Sequence, residues 1–326
     1  MNILLFDPYL GKFTPDMIEW WQNKGHEVKA ERYYNPSLVD WADVIWFETS
    51  DNNILSATNP SQALIDDEAN FKPWDLHEFD LSKKKVICRM IDIEVWQQHY
   101  MAPEWDLVDD IIFIAPHIRE LVDLGTLPML QPKTKFHTIP CGVNLDRYKF
   151  KERKPGFDIA IVSEKWTSKG THLLLQVILK LSRMDSRYKF HWLGQRSDSN
   201  WEYAYFDDFV EHHKLPIEFT NILTEGTVDD FLEGKNYLLH GSVKEGHSYA
   251  INEAAVKGIR VVAHRFFGAD HIWGGSGFLW DTIDEAVDMI VNDQVNYNSR
   301  AYLDFCIKKG YTSDMMMRQI DRVING

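Results

Sequence analysis

The chain is a succession of short apolar runs, separated by polar segments that carry the start and stop signals of helices. Apolar runs of this length are typical of strands that are buried on both faces of a parallel sheet. The first unit is a run at 2–6, a helix that begins at Thr14-Pro15 and ends at Gly25, and a run at 26–30. This strand–helix–strand unit predicts a doubly wound α/β fold. Further strands are predicted at 43–47, 85–88, 111–114, 135–139, 157–162, 189–193, 217–220, 237–240, 260–263 and 278–280.

A charged segment divides this pattern into two halves. Residues 147–154 are rich in lysine and arginine and are followed by Pro155-Gly156, which is typical of a linker. A chain of 326 residues is long enough for two domains with their own cores. We therefore predict two Rossmann-like domains, at 1–150 and 151–310, and a last helix within 311–326.

The most informative stretch follows the predicted strand at 237–240. A small polar loop leads into a helix at about 248–257, which ends at Gly258. The loop places backbone N–H groups at a helix N-terminus, where they can bind a phosphate or a diphosphate. Gly246 lets the backbone approach a ligand closely. This stretch is therefore a candidate anion site.

Two glutamates flank this candidate anion site. Glu245 lies in the loop, and Glu253 lies about two turns further along the chain. A carboxylate repels phosphate, but it accepts hydrogen bonds from neutral sugar hydroxyls. Phosphate on the amides and hydroxyls on the glutamates together describe a nucleotide sugar. The alternative is that both glutamates are solvated side chains that bind no ligand.

The stretch resembles the E-x7-E motif of retaining GT-B glycosyltransferases of glycosyltransferase family 4. The resemblance implies that Glu245 binds the transferred sugar, that Glu253 binds the nucleotide ribose, and that the amides after Gly246 hold the diphosphate. Family members often carry Phe-Gly after the Glu-Gly pair, whereas this chain has His247-Ser248. The matching positions are Ser242, Glu245, Gly246, Glu253, Ala254 and Gly258.

The loop after the strand at 157–162 resembles the family's second phosphate-binding element. Lys169-Gly170 matches a lysine that precedes a helix glycine and binds the donor diphosphate. The family's arginine position falls on Glu164, so the resemblance gives that role to the neighbouring Lys165, whose flexible stem holds phosphate less rigidly than arginine does. The alternative for Lys169 is a solvated lysine in the first turn of a helix, where it would oppose the helix dipole.

The first domain resembles the family only in outline. Its first loop carries the single Gly11 in place of the usual glycine pair. Asp92 and Glu94 stand where the family often has a histidine that faces the sugar, so one of them is a candidate contact for the acceptor or the reacting sugar. The alternative is a helix N-cap with a first-turn glutamate. Residues 139–148 resemble the family's interdomain segment, with Cys141 in place of asparagine.

The resemblance implies a GT-B arrangement, in which two Rossmann-like domains face each other across a cleft and the helix within 311–326 packs back on the first domain. It implies transfer of a hexose-type sugar from a nucleotide-diphosphate donor to a glycan or small-molecule acceptor, with retention of configuration. The base is expected in the loops after Leu193 and Thr220. The implied catalytic residues are Lys169, Glu245 and Asp92, the donor-binding residues are Lys165, Ser242, Gly246, His247, Ser248, Tyr249, Asn252 and Glu253, and the acceptor-side residues are Gly11 and Glu94.

Composition restricts the partners. The net charge of −14 disfavours binding to nucleic acid or to an anionic membrane. Three widely spaced cysteines fit reduced thiols, and with no signal peptide and no apolar run of transmembrane length they indicate a cytoplasmic protein. Lysines and helix amides can neutralise a leaving diphosphate, so no metal or other cofactor is expected. The polar segment at 52–80, read as a helix at 61–69 with an irregular loop, is a candidate for choosing the acceptor.

Three other functions stay open. The same scaffold can carry a phosphorylase or a hydrolase, a non-catalytic protein that binds a sugar nucleotide or a glycan, or a glycosyltransferase that acts on nucleic acid. The sequence has no His-Glu-x-x-His, Cys-x-x-Cys or P-loop pattern. Asp92-Ile93-Glu94 is its nearest approach to the D-x-D motif of metal-dependent glycosyltransferases.

Overall fold

A computed structural model describes the chain as two compact units, each built on a parallel sheet. The first unit contains residues 1–140 and 313–326, and the second contains residues 141–312. The chain therefore leaves the first unit and returns to it for its last helix. The described residues are 1–9, 11, 14–59, 81–92, 95, 103–126, 134–194, 201–221, 227–293 and 297–326.

The described strands of the first unit are β1 (Asn2–Phe6), β2 (Glu27–Glu31), β3 (Val44–Glu48), β4 (Lys85–Met90), β5 (Asp110–Phe113) and β6 (Lys135–Thr138). They form a parallel sheet in the order β2-β1-β3-β4-β5-β6. The chain changes direction across the sheet between β2 and β3, so β1 and β3 flank the switch point of a doubly wound fold. The strands agree with the predicted ones to within a few residues. The inner strands β1, β3, β4 and β5 are almost entirely buried, as expected of a parallel sheet, whereas the edge strands β2 and β6 are partly exposed.

The last helix, Ser313–Asn325, packs on the core of the first unit. Met317 of this helix is fully buried together with Trp21 and Trp46, whose rings meet edge to face at 5.6 Å. Polar contacts join the same helix to the helix at Pro15–Asn23, where the indole of Trp20 donates a 3.0 Å hydrogen bond to Asp321. The other described helices of this unit are α1 (Pro15–Asn23), α2 (Asn52–Thr58) and α3 (Pro116–Thr126).

Helix α2 lies in a segment for which we predicted no helix before residue 61. Asp51 is its N-cap, and its carboxylate accepts a 2.9 Å hydrogen bond from the backbone N–H of Asn53. The helix buries Ile54 and Leu55, so packing as well as the cap stabilises it. The predicted helix at 61–69 lies outside the described residues.

The described strands of the second unit are β7 (Asp158–Val162), β8 (Lys189–Leu193), β9 (Ile217–Thr220), β10 (Tyr237–His240), β11 (Arg260–His264) and β12 (Leu279–Trp280). They form a second parallel sheet in the order β12-β11-β10-β7-β8-β9. β7 and β10 are neighbours at the switch point of this sheet, so the loops that leave their carboxyl ends start side by side.

Helices pack against this second sheet, and their apolar faces form its core. Leu174 and Ile178 of the helix after β7 and Ile290 of a later helix are fully or almost fully buried against Trp192 of β8 and Val262 of β11. The helices are α4 (Thr171–Met184), α5 (Trp201–His213), α6 (Val228–Leu232), α7 (Tyr249–Val256), α8 (Ala269–Trp273), α9 (Ile283–Val291) and α10 (Ser299–Lys309).

Residues 141–150 belong to the second unit, although our predicted linker placed the division after residue 150. The backbone N–H of Val143 donates a 3.1 Å hydrogen bond to the carbonyl of Tyr311, and Val143 forms a parallel bridge with Thr312. The segments at which the chain enters and leaves the second unit are therefore hydrogen-bonded to each other. This pairing joins residues far apart in the sequence, which composition alone cannot show.

Candidate functional site

The candidate site lies at the carboxyl ends of β7 and β10. The loop after β7 carries Lys169, and the loop after β10 carries Glu245. The two loops are in close contact, because the backbone N–H of Val243 donates a 3.0 Å hydrogen bond to the carbonyl of Ser168. Gly170 has a φ of +66°, and a Cβ at this position would lie 1.8 Å from the carbonyl oxygen of Gly241. Only a glycine at position 170 permits this approach.

Lys169 and Glu245 form an ion pair at the point where the loops meet. The ammonium nitrogen lies 2.6 Å from Oε1 of Glu245, which also accepts a 2.8 Å hydrogen bond from the hydroxyl of Ser242. Glu245 is only 8% exposed, whereas the side chain of Lys169 is 28% exposed. The structure therefore brings together three residues that the sequence nominated, Lys169 from one loop and Ser242 and Glu245 from the other.

Glu245 is held as a carboxylate. Burial by itself raises the pKa of Glu245, but the ammonium of Lys169 and the imidazole of His240 outweigh it, so its pKa lies well below the usual range. Nε2 of His240 lies 3.6 Å from Oε1 of Glu245. An ionised carboxylate only accepts hydrogen bonds. Glu245 is therefore suited to ligand hydroxyls and unsuited to phosphate.

The N-terminus of α7 lies directly after Glu245. Ser248 is the N-cap residue, yet its hydroxyl makes no capping hydrogen bond and instead lies 3.3 Å from Nε2 of His240. Gly246 and Ser248 are buried, and Tyr249 is half-buried. Because Ser248 does not cap the first-turn amides, the N–H groups and the positive end of the helix dipole still favour an anion at this helix end.

His247 and Asn252 lie beneath this helix end. Asn252 is fully buried; its amide nitrogen lies 3.2 Å from Nδ1 of His247, and its carbonyl oxygen accepts a 3.1 Å hydrogen bond from the indole of Trp273. The ring of His247 meets that of Tyr311 edge to face at 4.6 Å. The sequence nominated both residues as donor contacts, and this stays a prediction; in the structure their side chains are buried beneath the loop.

Glu253 is half-buried on α7 and has a partner that the sequence analysis did not identify. The hydroxyl of Tyr148 interacts with the Glu253 carboxylate. Burial, reinforced by the negative charge of Glu253, raises the pKa of Tyr148 well above its usual value. The segment 139–148 was recognised as a whole, but nothing in its spacing showed which side chain would reach α7.

Lys165 occupies a different place from Lys169. Its ammonium lies 3.5 Å from the carbonyl of Gly194 and 4.9 Å from the ring centre of Phe219, and the residue is 3% exposed. It faces a cavity of about 220 Å³ at the carboxyl ends of β8 and β9, which is where the sequence placed the nucleotide base. The lining residues are Lys165, Gly194, Phe206, Asp207, Phe219, Thr220 and Asn221.

The nominated residues of the first unit are less informative. Asp92 is half-buried just after β4, Gly11 has a φ of +88° with open space at its Cβ position, and Glu94 lies outside the described residues. The sequence analysis did not identify the buried Glu48–Arg89 ion pair at the carboxyl ends of β3 and β4, where the two side chains meet at 2.7 Å.

The described residues contain neither a metal-binding cluster nor a membrane-spanning helix. Among these residues, no group of three or more His, Cys, Asp or Glu side chains is placed to hold a metal ion. No described helix is long and apolar enough to cross a membrane.

The chain is similar to solved structures along its whole length. HepE from Anabaena, in complex with UDP-glucose, is 14% identical over 100% of this chain and 99% of its own, with a TM-score of 0.72. Sucrose-phosphate synthase from Thermosynechococcus elongatus is 12% identical over 100% of this chain and 98% of its own, with a TM-score of 0.71.

A third similarity is partial. The pneumococcal O-GlcNAc transferase GtfA, in complex with UDP and GlcNAc, is 11% identical over 89% of this chain, with a TM-score of 0.62, and the chain spans 59% of the length of GtfA. No protein-family model and no curated protein sequence matches the chain. The two parallel sheets and the whole-length similarities show that the chain has the GT-B fold.

Proposed function

We propose that the protein is a glycosyltransferase that moves a hexose-type sugar from a nucleotide-diphosphate donor to a glycan or small-molecule acceptor, with retention of configuration and without a metal ion. The observation that carries the proposal is the Lys169–Glu245 ion pair, which lies just before the N-terminus of α7. A cation and helix amides suit the diphosphate, and an adjacent carboxylate suits sugar hydroxyls. A nucleotide sugar presents both groups side by side.

In the proposed reaction, the bond between the anomeric carbon and the diphosphate oxygen breaks, and the nucleoside diphosphate leaves with the electron pair. Lys169 and the first-turn amides of α7 stabilise the charge that develops on the leaving oxygen. The acceptor oxygen attacks from the face that the diphosphate leaves, and its proton passes to the leaving group. No nucleophile from the protein is needed, and Glu245 orients the sugar.

The cavity beside Lys165 is the proposed place for the base. Its aromatic wall, Phe219, can stack on a planar ring. Glu253, held by Tyr148, is the proposed acceptor for the ribose hydroxyls. UDP is the nucleotide named in the structures of GtfA and, as UDP-glucose, of HepE. UDP-sugars are therefore the first donors to test.

A thermal-shift screen against UDP-, GDP- and ADP-sugars tests the proposal. A ligand at 100 times its dissociation constant stabilises the protein by about 2.7 kcal/mol, which is easily measured. We expect a shift with one nucleotide class, and we expect it to be lost in Lys169→Ala and Glu253→Ala. Lys180→Ala is the control, because Lys180 pairs with the exposed Asp284 away from the site.

Turnover separates an enzyme from a binding protein. Slow release of free sugar from the shifted donor, abolished by Lys169→Ala, supports transfer, with water replacing the acceptor. A donor that binds but is never cleaved, even with candidate acceptors present, would support the non-catalytic alternative. A screen without any shift, or a shift that survives both site substitutions, would overturn the proposed site.

A further inference from the structure

His240, the last residue of β10, was not nominated by the sequence analysis, and it lies between the residues of the candidate site. It is 4% exposed. Its Nε2 lies 3.3 Å from the hydroxyl of Ser248, 3.4 Å from that of Ser242 and 3.6 Å from Oε1 of Glu245. One ring nitrogen thus faces two oxygens from the Glu245 loop and one from the N-cap of α7.

The hydrogen-bond roles follow from the partners. The hydroxyl of Ser242 donates its proton to Glu245, so its oxygen can only accept from His240. Nε2 therefore carries a proton. Nδ1 is buried and has no hydrogen-bond partner among the residues that the structure describes. The proton on Nε2 therefore faces the three oxygens, those of Ser242, Glu245 and Ser248.

This geometry has a consequence for α7. A serine at an N-cap normally accepts hydrogen bonds from the backbone N–H groups of the second or third helical residue, here Ala250 or Ile251. The hydroxyl of Ser248 faces His240 instead and makes no such bond. Those N–H groups are the ones that an anion at the helix N-terminus would use. A capping serine would compete with that anion.

We infer that His240 is a positioning residue that holds the hydroxyl of Ser248 away from the α7 amides and so keeps this helix end available for the donor diphosphate. The inference rests on the proposed function for its ligand, but the contact itself can be tested without one. His240 also lies next to Glu245 at the end of β10, and it therefore supports the loop that carries this glutamate.

The first test uses amide hydrogen exchange in the ligand-free protein. In His240→Ala the freed hydroxyl of Ser248 should cap the helix, so the N–H groups of Ala250 and Ile251 should exchange more slowly than in the wild type. His240→Ala combined with Ser248→Ala should return them to the wild-type rate. Unchanged or faster exchange in His240→Ala would overturn the inference, whatever the protein binds.

The second test measures binding of UDP, GDP and ADP by calorimetry. For the nucleotide that binds the wild type, His240→Ala should weaken binding by about tenfold, the effect of losing one hydrogen bond to a charged group. In the Ser248→Ala background the same substitution should weaken it much less. His240→Gln, which can place an N–H near the same oxygens, should recover most of the affinity.

The control is His191→Ala, which removes a half-buried histidine from β8 that bonds Asp158 and Glu218. It should lower thermal stability without changing nucleotide affinity. Equal losses from His240→Ala in both backgrounds would contradict the inference while leaving the proposed function intact. Exchange that behaves as expected, with no nucleotide bound by the wild type, would instead remove the proposed function and the role assigned to the helix end.

Discussion

At the scale of single residues, the candidate site depends on one backbone contact. The loops after β7 and β10 touch at Gly170 and Gly241, and this contact brings Lys169 next to Glu245. The motif resemblance nominated both charged residues, since each lies in a recognisable local pattern. The contact between the loops involves positions 71 residues apart, 170 and 241, and only the fold shows that position 170 cannot carry a side chain.

Gly170→Ala tests this contact. The added Cβ meets the carbonyl of Gly241 at 1.8 Å and also has to adopt a φ of +66°. Gly234→Ala is the matched control, because its φ is +75° but nothing lies within 4 Å of its Cβ. We expect about 1 kcal/mol of destabilisation in the control from the left-handed backbone. Gly170→Ala should lose roughly 1–3 kcal/mol more, together with nucleotide binding. Equal denaturation midpoints for the two variants would show that the loops are not in contact.

At the scale of elements, the strands were predictable and the partners of side chains were not. β9 and β10 agree with the predicted strands because their apolar runs are short and bounded. Tyr148 reaches Glu253 only through tertiary structure, and His240 reaches Glu245 through the conformation of the loop between them; the sequence pattern revealed neither contact.

A charged network also operates at this scale, since it joins the ends of two helices. Lys257, the C-cap of α7, is 1% exposed and bonds both Asp229 of α6 and Glu233, the C-cap of α6. Lys151 bonds Glu233 from outside at 2.9 Å. Burial opposes ionisation of Glu233, but the hydrogen bonds from Lys257 and Lys151 outweigh it and lower its pKa to about 2.

Because folding lowers the pKa of Glu233, the change of its contribution to stability with pH can be predicted. A carboxyl whose pKa is lower in the folded state stabilises the fold fully above its unfolded value, near 4.5, and progressively less as the pH falls towards about 2. Glu233→Gln should therefore be less stable than the wild type at pH 7, and the difference should shrink between pH 5 and pH 2. Melting temperatures over this range measure it. A difference that stays constant or grows on acidification would show that Glu233 is not ionised by these lysines.

At the scale of the whole molecule, the chain crosses between its two units twice, because the C-terminal helix rejoins the first unit. The residues nominated for the donor lie in the second unit. Asp92, Gly11 and Glu94, which were nominated for the acceptor or the reacting sugar, belong to the first unit. The groups that our proposal assigns to a nucleotide sugar, a cation, a helix end, a carboxylate and a cavity, all lie among the described residues of the second unit. Stability of the first unit and donor binding should therefore be separable.

Met317→Ala makes this separation measurable. Met317 lies on the C-terminal helix, is fully buried and packs with Trp21 and Trp46 in the core of the first unit. Truncating a buried methionine costs about 2–5 kcal/mol. Met315→Ala is the control, because Met315 lies on the same helix and is 45% exposed. We expect Met317→Ala to lower the melting temperature and to increase hydrogen exchange in β1 and β3, whereas Met315→Ala changes neither.

Below the melting transition, the affinity of Met317→Ala for a nucleoside diphosphate should equal that of the wild type, because the proposed contacts to the diphosphate lie in the second unit. A loss of affinity that tracks the loss of stability would mean that the first unit contributes to the donor site.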